Sequence, residues 1–186
     1  MTRSHRKYIV PPADARRHLE TGPVVLVSSR HGGKANIMTM GWHQVLEFTP
    51  SLVSGLIARG NHSFAMIRDS RECVINVPTT ALTDIVVGIG NCSGADIDKF
   101  AHFGLTQDPA AMVDAPLIRE CHANLECRLH DDALVESYNL FIFEVLSIHV
   151  AASPKNPETL HYRGDGEFMV AGKTISRRHL FRPEML

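Results

Sequence analysis

Ala123-Asn124-Leu125-Glu126-Cys127-Arg128-Leu129 alternates apolar and polar residues with a period of two. Successive side chains of a strand point to opposite faces. Leu125, Cys127 and Leu129 therefore share one face, and Asn124, Glu126 and Arg128 the other. On the C-terminal side the pattern continues into strands. Leu140 to Val150 is long and apolar, too long for a simple half-exposed strand. Leu160 to Arg163 leads to a Gly164-Asp165-Gly166 turn and then to Phe168-Met169-Val170. On the N-terminal side, Cys73 to Val77 is a strand stopped by Pro78. Leu52 to Ala58 is another, entered from Thr49-Pro50. Val24 to Ser29 is a β-branched run read as a buried strand, His31-Gly32-Gly33-Lys34 a turn, and Asn36 to Trp42 a partly extended segment.

Helical stretches are few and short. Asn61 to Ser70 spaces Phe64, Met66 and Ile67 as a helix does, with Asn61 or His62 as cap. Leu82 to Gly90 forms a second candidate. Asp96 to Phe103 forms a third, with Asp96 in its first turn and Gly104 ending it. Pro11-Pro12 followed by Ala13 to Leu19 reads as an arm and a brief helix, Asp14 its cap and Gly22-Pro23 its end. Many short strands with brief helices predict a mainly β fold, a closed or nearly closed barrel. No G-x-G-x-x-G turn opens a helix, which argues against a doubly wound dinucleotide site.

At 186 residues the chain fits a single domain, residues 1–186, with an N-terminal arm of about 1–12 and a C-terminal tail of about 173–186. Hydrophobic residues make up 44% and charged residues 21%, as in soluble globular proteins. A net charge of −1 gives no overall field for nucleic acid or an acidic membrane. No apolar run reaches the roughly 18 residues of a membrane helix. The basic start lacks the apolar region of a secretory signal. Cys73, Cys92, Cys121 and Cys127 include no C-x-x-C pair and do not resemble a disulfide framework, so the cytoplasm is the expected location.

Three stretches carry more polar detail than a barrel needs for folding. Asn36-Ile37-Met38-Thr39-Met40-Gly41-Trp42 holds the only tryptophan and mixes amide, hydroxyl and soft apolar groups. Such an edge suits a flat heteroaromatic ring; equally, Met and Trp here can fill a core. Ala58-Arg59-Gly60-Asn61-His62-Ser63 joins a strand to a helix start, where free N–H groups, a hydroxyl and an Arg make an anion site. An ordinary capped helix with a solvated Arg uses the same residues. In Asn91-Cys92-Ser93-Gly94-Ala95-Asp96-Ile97-Asp98-Lys99-Phe100, Lys99 follows two carboxylates and by itself reads as a surface charge. Cys121, His122 and Cys127 have zinc-ligand chemistry, but adjacent residues of a strand face opposite ways, which disfavours a site. Cys92 has no cationic neighbour placed by local sequence to activate its thiol.

Taken in order, Asn36-x-Met38-Thr39-x-x-Trp42, Pro50, Arg59-x-Asn61-x-Ser63, Asn76-Val77-Pro78 and Ser93-Gly94-x-Asp96-x-Asp98-Lys99-Phe100 resemble the flavin reductase-like, FMN-binding split-barrel proteins, and among them the flavoredoxins. Ala115-Pro116-Leu117-Ile118, Asn124-Leu125-Glu126-Cys127 and Phe141-Ile142-Phe143-Glu144-Val145 extend the likeness, which covers roughly residues 8 to 172. Each motif is weak; their shared order and spacing carry the resemblance. It implies a split barrel and a homodimer with FMN near the subunit interface. Asn36, Met38, Thr39 and Trp42 would border the ring. Arg59, Asn61, His62 and Ser63 would take the ribityl chain and phosphate. Lys99 would approach ring or phosphate, and Phe168 would cover the flavin. Family members usually carry a His before the Phe-Ile-Phe-Glu-Val strand; this chain has Tyr138 there. The implied activity is hydride transfer from NADH or NADPH to flavin, in which the protein stacks two rings and tunes the flavin. The alternative is an FMN-loaded carrier that takes electrons from, or gives them to, another protein and has no nicotinamide site.

Overall fold

The computed structural model describes residues 22–185, so the arm and helix read before Gly22 lie outside the described residues. Seven strands form one antiparallel sheet. They are β1 (Val25–His31), β2 (Lys34–Met40), β3 (His43–Glu47), β4 (Leu52–Leu56), β5 (Glu72–Val77), β8 (Ala123–Asp131) and β9 (Leu140–Val150), in the order β2-β1-β5-β8-β9-β4-β3. Two short ribbons complete the set: β6 (Gln107–Asp108) with β7 (Leu117–Ile118), and β10 (Leu160–Gly164) with β11 (Glu167–Val170).

The strand order dictates the shape. The edge strands β2 and β3 are consecutive in the chain, joined by Gly41-Trp42. In a flat sheet they would lie about 29 Å apart, six spacings of ~4.8 Å. Three residue steps reach only ~11 Å. The sheet must therefore roll until its edges meet, which makes it a split barrel. The turn between β1 and β2 uses Gly32 and Gly33 at φ +58° and +77°, the backbone a two-residue hairpin needs.

Rolling creates two apolar layers. Inside are Val25, Val27, Met38, Met40, Cys73, Ile75, Cys127, Leu129, Phe141 and Phe143, closed by Phe64 and Ile67 of helix α1 (His62–Ser70). Outside β1 and β2, Val24, Leu26 and Ile37 meet α2 (Thr83–Gly90), α3 (Lys99–Phe103) and β10. Strand β1 is consequently buried on both faces, which is why its sequence is a continuous β-branched run rather than an alternation.

The structure changes several sequence expectations. The third helix spans only Lys99–Phe103 and is capped by Asp98, whose Oδ1 accepts from the Ala101 N–H at 3.1 Å; Asp96 precedes the helix and is not in its first turn. Residues Thr80–Leu82 form a 3-10 turn before α2. Strand β3 and the short helix α4 (Val135–Tyr138) went unread. The polar face of β8 is covered in part, with Arg128 left exposed. The excursion through β6 and β7 provides the cover, so Glu126 is 0% exposed and Asn124 is buried. Both are fully partnered. Asn124 Nδ2 donates to Asn76 Oδ1 and to the Ile118 carbonyl at 2.7 and 3.0 Å. The Glu126 carboxylate accepts from the Ala111 and Met112 N–H groups and from His149 Nε2.

Candidate functional site

The site starts from Asn36, on β2 and 3% exposed. Its Nδ2 donates to Ser63 Oγ at 2.8 Å. Ser63 lies in the first turn of α1, where its N–H donates to Oδ1 of the cap Asn61 at 3.0 Å. On its other side the Asn36 amide packs against Gly94. A Cβ there would sit 2.5 Å from Asn36 Cγ and closer still to Oδ1, so only glycine fits. One amide thus draws together all three polar stretches of the sequence. Its Oδ1 is the buried side-chain polar atom without a hydrogen-bond partner among the described residues. Natively buried acceptors are almost always paired, so an orphan here is unusual and sets this amide apart from the other buried polar side chains.

Beside it, the C-terminal end of α2 is held by two side chains. Thr39 Oγ1 donates to the Val86 carbonyl at 2.7 Å, and Lys99 Nζ to the Ile89 carbonyl at 2.9 Å. Lys99 is 4% exposed and has no carboxylate within ion-pair distance among the described residues. Burial pushes its ammonium below the ordinary lysine range, against a smaller opposing pull from Cys92. The Cys92 thiol shares the Ile89 carbonyl, so the fold supplies the cationic neighbour that local sequence did not. Cys121 and Cys127 fall in different core layers, and no group of three metal-ligating side chains gathers among the described residues.

A cavity of about 530 Å³ opens next to Thr39, within the ~300–1,000 Å³ typical of small-molecule sites. Val86, Val87, Gly90 and Asn91 form one wall, and Tyr162 and Phe168 of the β10–β11 hairpin another. These rings are cross-strand partners, 5.2 Å apart and tilted by 51°. Among the described residues no charged side chain lines the cavity, and its apolar walls suit a flat ring.

Of the residues singled out from sequence, Asn36, Asn61 and Ser63 form one connected set; Thr39 and Phe168 line the cavity; Lys99 lies buried beneath its rim. Others are placed elsewhere. Met38 belongs to the inner core. Trp42 is 52% exposed and outside the cavity lining. His62 is exposed. Arg59 does not point at open helix N–H groups: its guanidinium donates to the Glu136 carboxylate at 2.7 Å and to the Glu136 carbonyl at 2.9 Å. Tyr138 is exposed at the end of α4. The cavity residues of α2 and Tyr162 were missed. The turn at Gly164-Asp165-Gly166, which sets Tyr162 opposite Phe168, was the available signal for the latter.

A family model described as flavin reductase like domain matches residues 17–168. An uncharacterized protein of Archaeoglobus fulgidus is 35% identical over 115 residues, 62% of this chain and 65% of its own length. The crystal structure of an FMN-binding domain of a flavin reductases-like enzyme from Shewanella baltica OS155 is 30% identical, with a TM-score of 0.76 over 90% of this chain and 95% of that one. Flavoredoxin of Desulfovibrio vulgaris (Miyazaki F) superposes with a TM-score of 0.78 over 97% and 98%, at 20% identity. With the domain match covering most of the polypeptide, the chain belongs to the flavin reductase-like family.

Proposed function

We propose that this protein binds FMN and accepts a hydride onto it from NADH or NADPH, working as a homodimer. The observation that carries this reading is the convergence on Asn36, where three stretches distant in sequence meet at one amide, on a strand whose other face, through Thr39, lines a cavity of ring size. The residues fit the group chemically. The cavity lined by Thr39, Tyr162 and Phe168 would take the ring. The start of α1, with Asn61 and Ser63, would take the polar chain and phosphate. Lys99 provides the buried positive charge, and the absence of a carboxylate partner leaves that charge for an anion.

Bound FMN supplies a two-electron acceptor that a nicotinamide can reduce by hydride transfer. The chain's own work is to hold the ring flat between the α2 wall and the hairpin, leave one face open to a second ring, and exclude water from the buried side. Lys99 keeps a positive charge at the site, which favours uptake of negative charge there. The dimer reading is supported by edge strand β3 and its surroundings, where Trp42, Val45 and Phe48 are exposed together.

The test is reconstitution with FMN, FAD and riboflavin, followed by anaerobic addition of NADH or NADPH. FMN uptake at micromolar level with bleaching by either nucleotide supports the reductase. FMN uptake with no bleaching makes the protein a carrier served by another protein. Protein that stays colourless sinks the reading. Light scattering of the eluting protein decides between monomer and dimer.

A further inference from the structure

Helix α1 has no acidic residue in its own first turn, although the positive end of a helix favours one. The acid comes from elsewhere. Glu136, on α4 and 77 positions from Arg59 in sequence, takes the Arg59 guanidinium at 2.7 Å, while that guanidinium lies 5.5 Å above the ring of Phe64, itself in the first turn of α1. Arg68, one α1 turn further on, stacks on the same ring at 5.9 Å. Its guanidinium is held above the ordinary range first by Asp69, through a hydrogen bond and its charge, with a smaller pull from Glu136. One carboxylate therefore faces two arginines beside a helix start that lacks an anion of its own. The charged groups that act on it are Arg59, from the β4–α1 connection, and Arg68 of α1.

From this we infer that Glu136 is an internal competitor for phosphate: its carboxylate draws off the Arg59 guanidinium that a phosphorylated ligand at the start of α1 would otherwise take, and so lowers the protein's preference for a phosphorylated flavin over an unphosphorylated one. This rests on the flavin reading above. A dianionic phosphate arriving at α1 must either draw Arg59 away and leave Glu136 uncompensated beside it, or bind without Arg59, and both cost affinity. Riboflavin, which has the same ring and no phosphate, is indifferent to the exchange. Glu136 is thus a specificity-determining residue that touches neither the ring cavity nor Asn36.

The experiment measures binding of FMN and of riboflavin, by quenching of flavin fluorescence at low ionic strength, to wild type, Glu136→Gln, Arg59→Ala and the double variant. Glu136→Gln should bind FMN about three- to fivefold tighter, the scale set by an exposed ion pair, and leave riboflavin unchanged. The gain should vanish in the double variant, and raised salt should shrink it. Equal FMN affinity in wild type and Glu136→Gln, a gain shared by riboflavin, or a gain that survives loss of Arg59 each overturns the inference while leaving FMN binding intact. Failure of wild type to bind FMN overturns the flavin reading and this inference with it. Glu136→Ala, also at an exposed position, repeats the comparison should the Gln variant lose the fold on circular dichroism.

Discussion

Among the described residues two charged side chains, Glu126 and Lys99, are buried, and their surroundings differ. Glu126, under the β6–β7 excursion, has no exposed surface and receives three hydrogen bonds, two from backbone amides and one from His149. Lys99, beneath the cavity rim, is nearly as buried, yet has a single carbonyl acceptor and no carboxylate. A fully satisfied buried charge fixes structure; one left short of partners costs stability and is retained for what it binds. The contrast fits a structural role for Glu126 and the proposed anion-binding role for Lys99.

The comparison breaks most directly at Glu126. Replacement by Ala leaves the Ala111 and Met112 amides and His149 without their shared acceptor, empties a fully buried position and frees the 105–118 segment, so it should lower unfolding stability by about 3–5 kcal/mol in urea titration. A loss near zero would put Glu126 on the surface in solution. The same residue carries a pH signature. Burial works to raise its carboxyl value, but the hydrogen bonds from His149, Met112 and Ala111 outweigh burial and leave it below the ordinary glutamate range. A depressed folded value means that the contribution is complete above the unfolded value and disappears as pH falls through the folded one. The stability difference between wild type and Glu126→Gln should be flat above the normal glutamate range and shrink on acidification; a difference that grows in acid contradicts the assignment.

Gly94→Ala should come next, at about 1–3 kcal/mol, because its Cβ overlaps the Asn36 amide. It should also cost FMN affinity, whereas an overpacking error remote from a site would not. Lys99→Met sharpens the other half of the contrast. Removing an unpaired buried charge should leave the flavin-free protein as stable as wild type or up to ~1 kcal/mol more so, while FMN affinity falls about tenfold. A large loss of stability in that variant would make Lys99 a structural residue like Glu126. The smallest effect is expected at Asn61→Ala, about 1 kcal/mol for the lost helix cap, read from the thermal midpoint.

Local pattern was enough to read β1, β4, β5, β9, the hairpin and α1, because their apolar spacing or turn residues are contained within each segment. It failed where a distant segment changes the environment. The alternation of β8 marks Glu126 as solvent-facing, and so it would be without the excursion that covers it. Strand β3 has no core-facing alternation because it is an edge whose side chains are largely exposed. In the third helix two aspartates compete for the capping position, and geometry alone selects Asp98.

The amino-acid order by itself determined a mainly β barrel and the three polar stretches that meet at Asn36, since periodicity and turn chemistry are local properties. Only the tertiary structure decided which charges are free. Arg59 and Lys99 look alike along the chain, but one is neutralised by Glu136 far away in sequence and the other is sealed in with a single carbonyl. Electrostatic pairing acts through space, so no reading of neighbours in sequence could have told them apart.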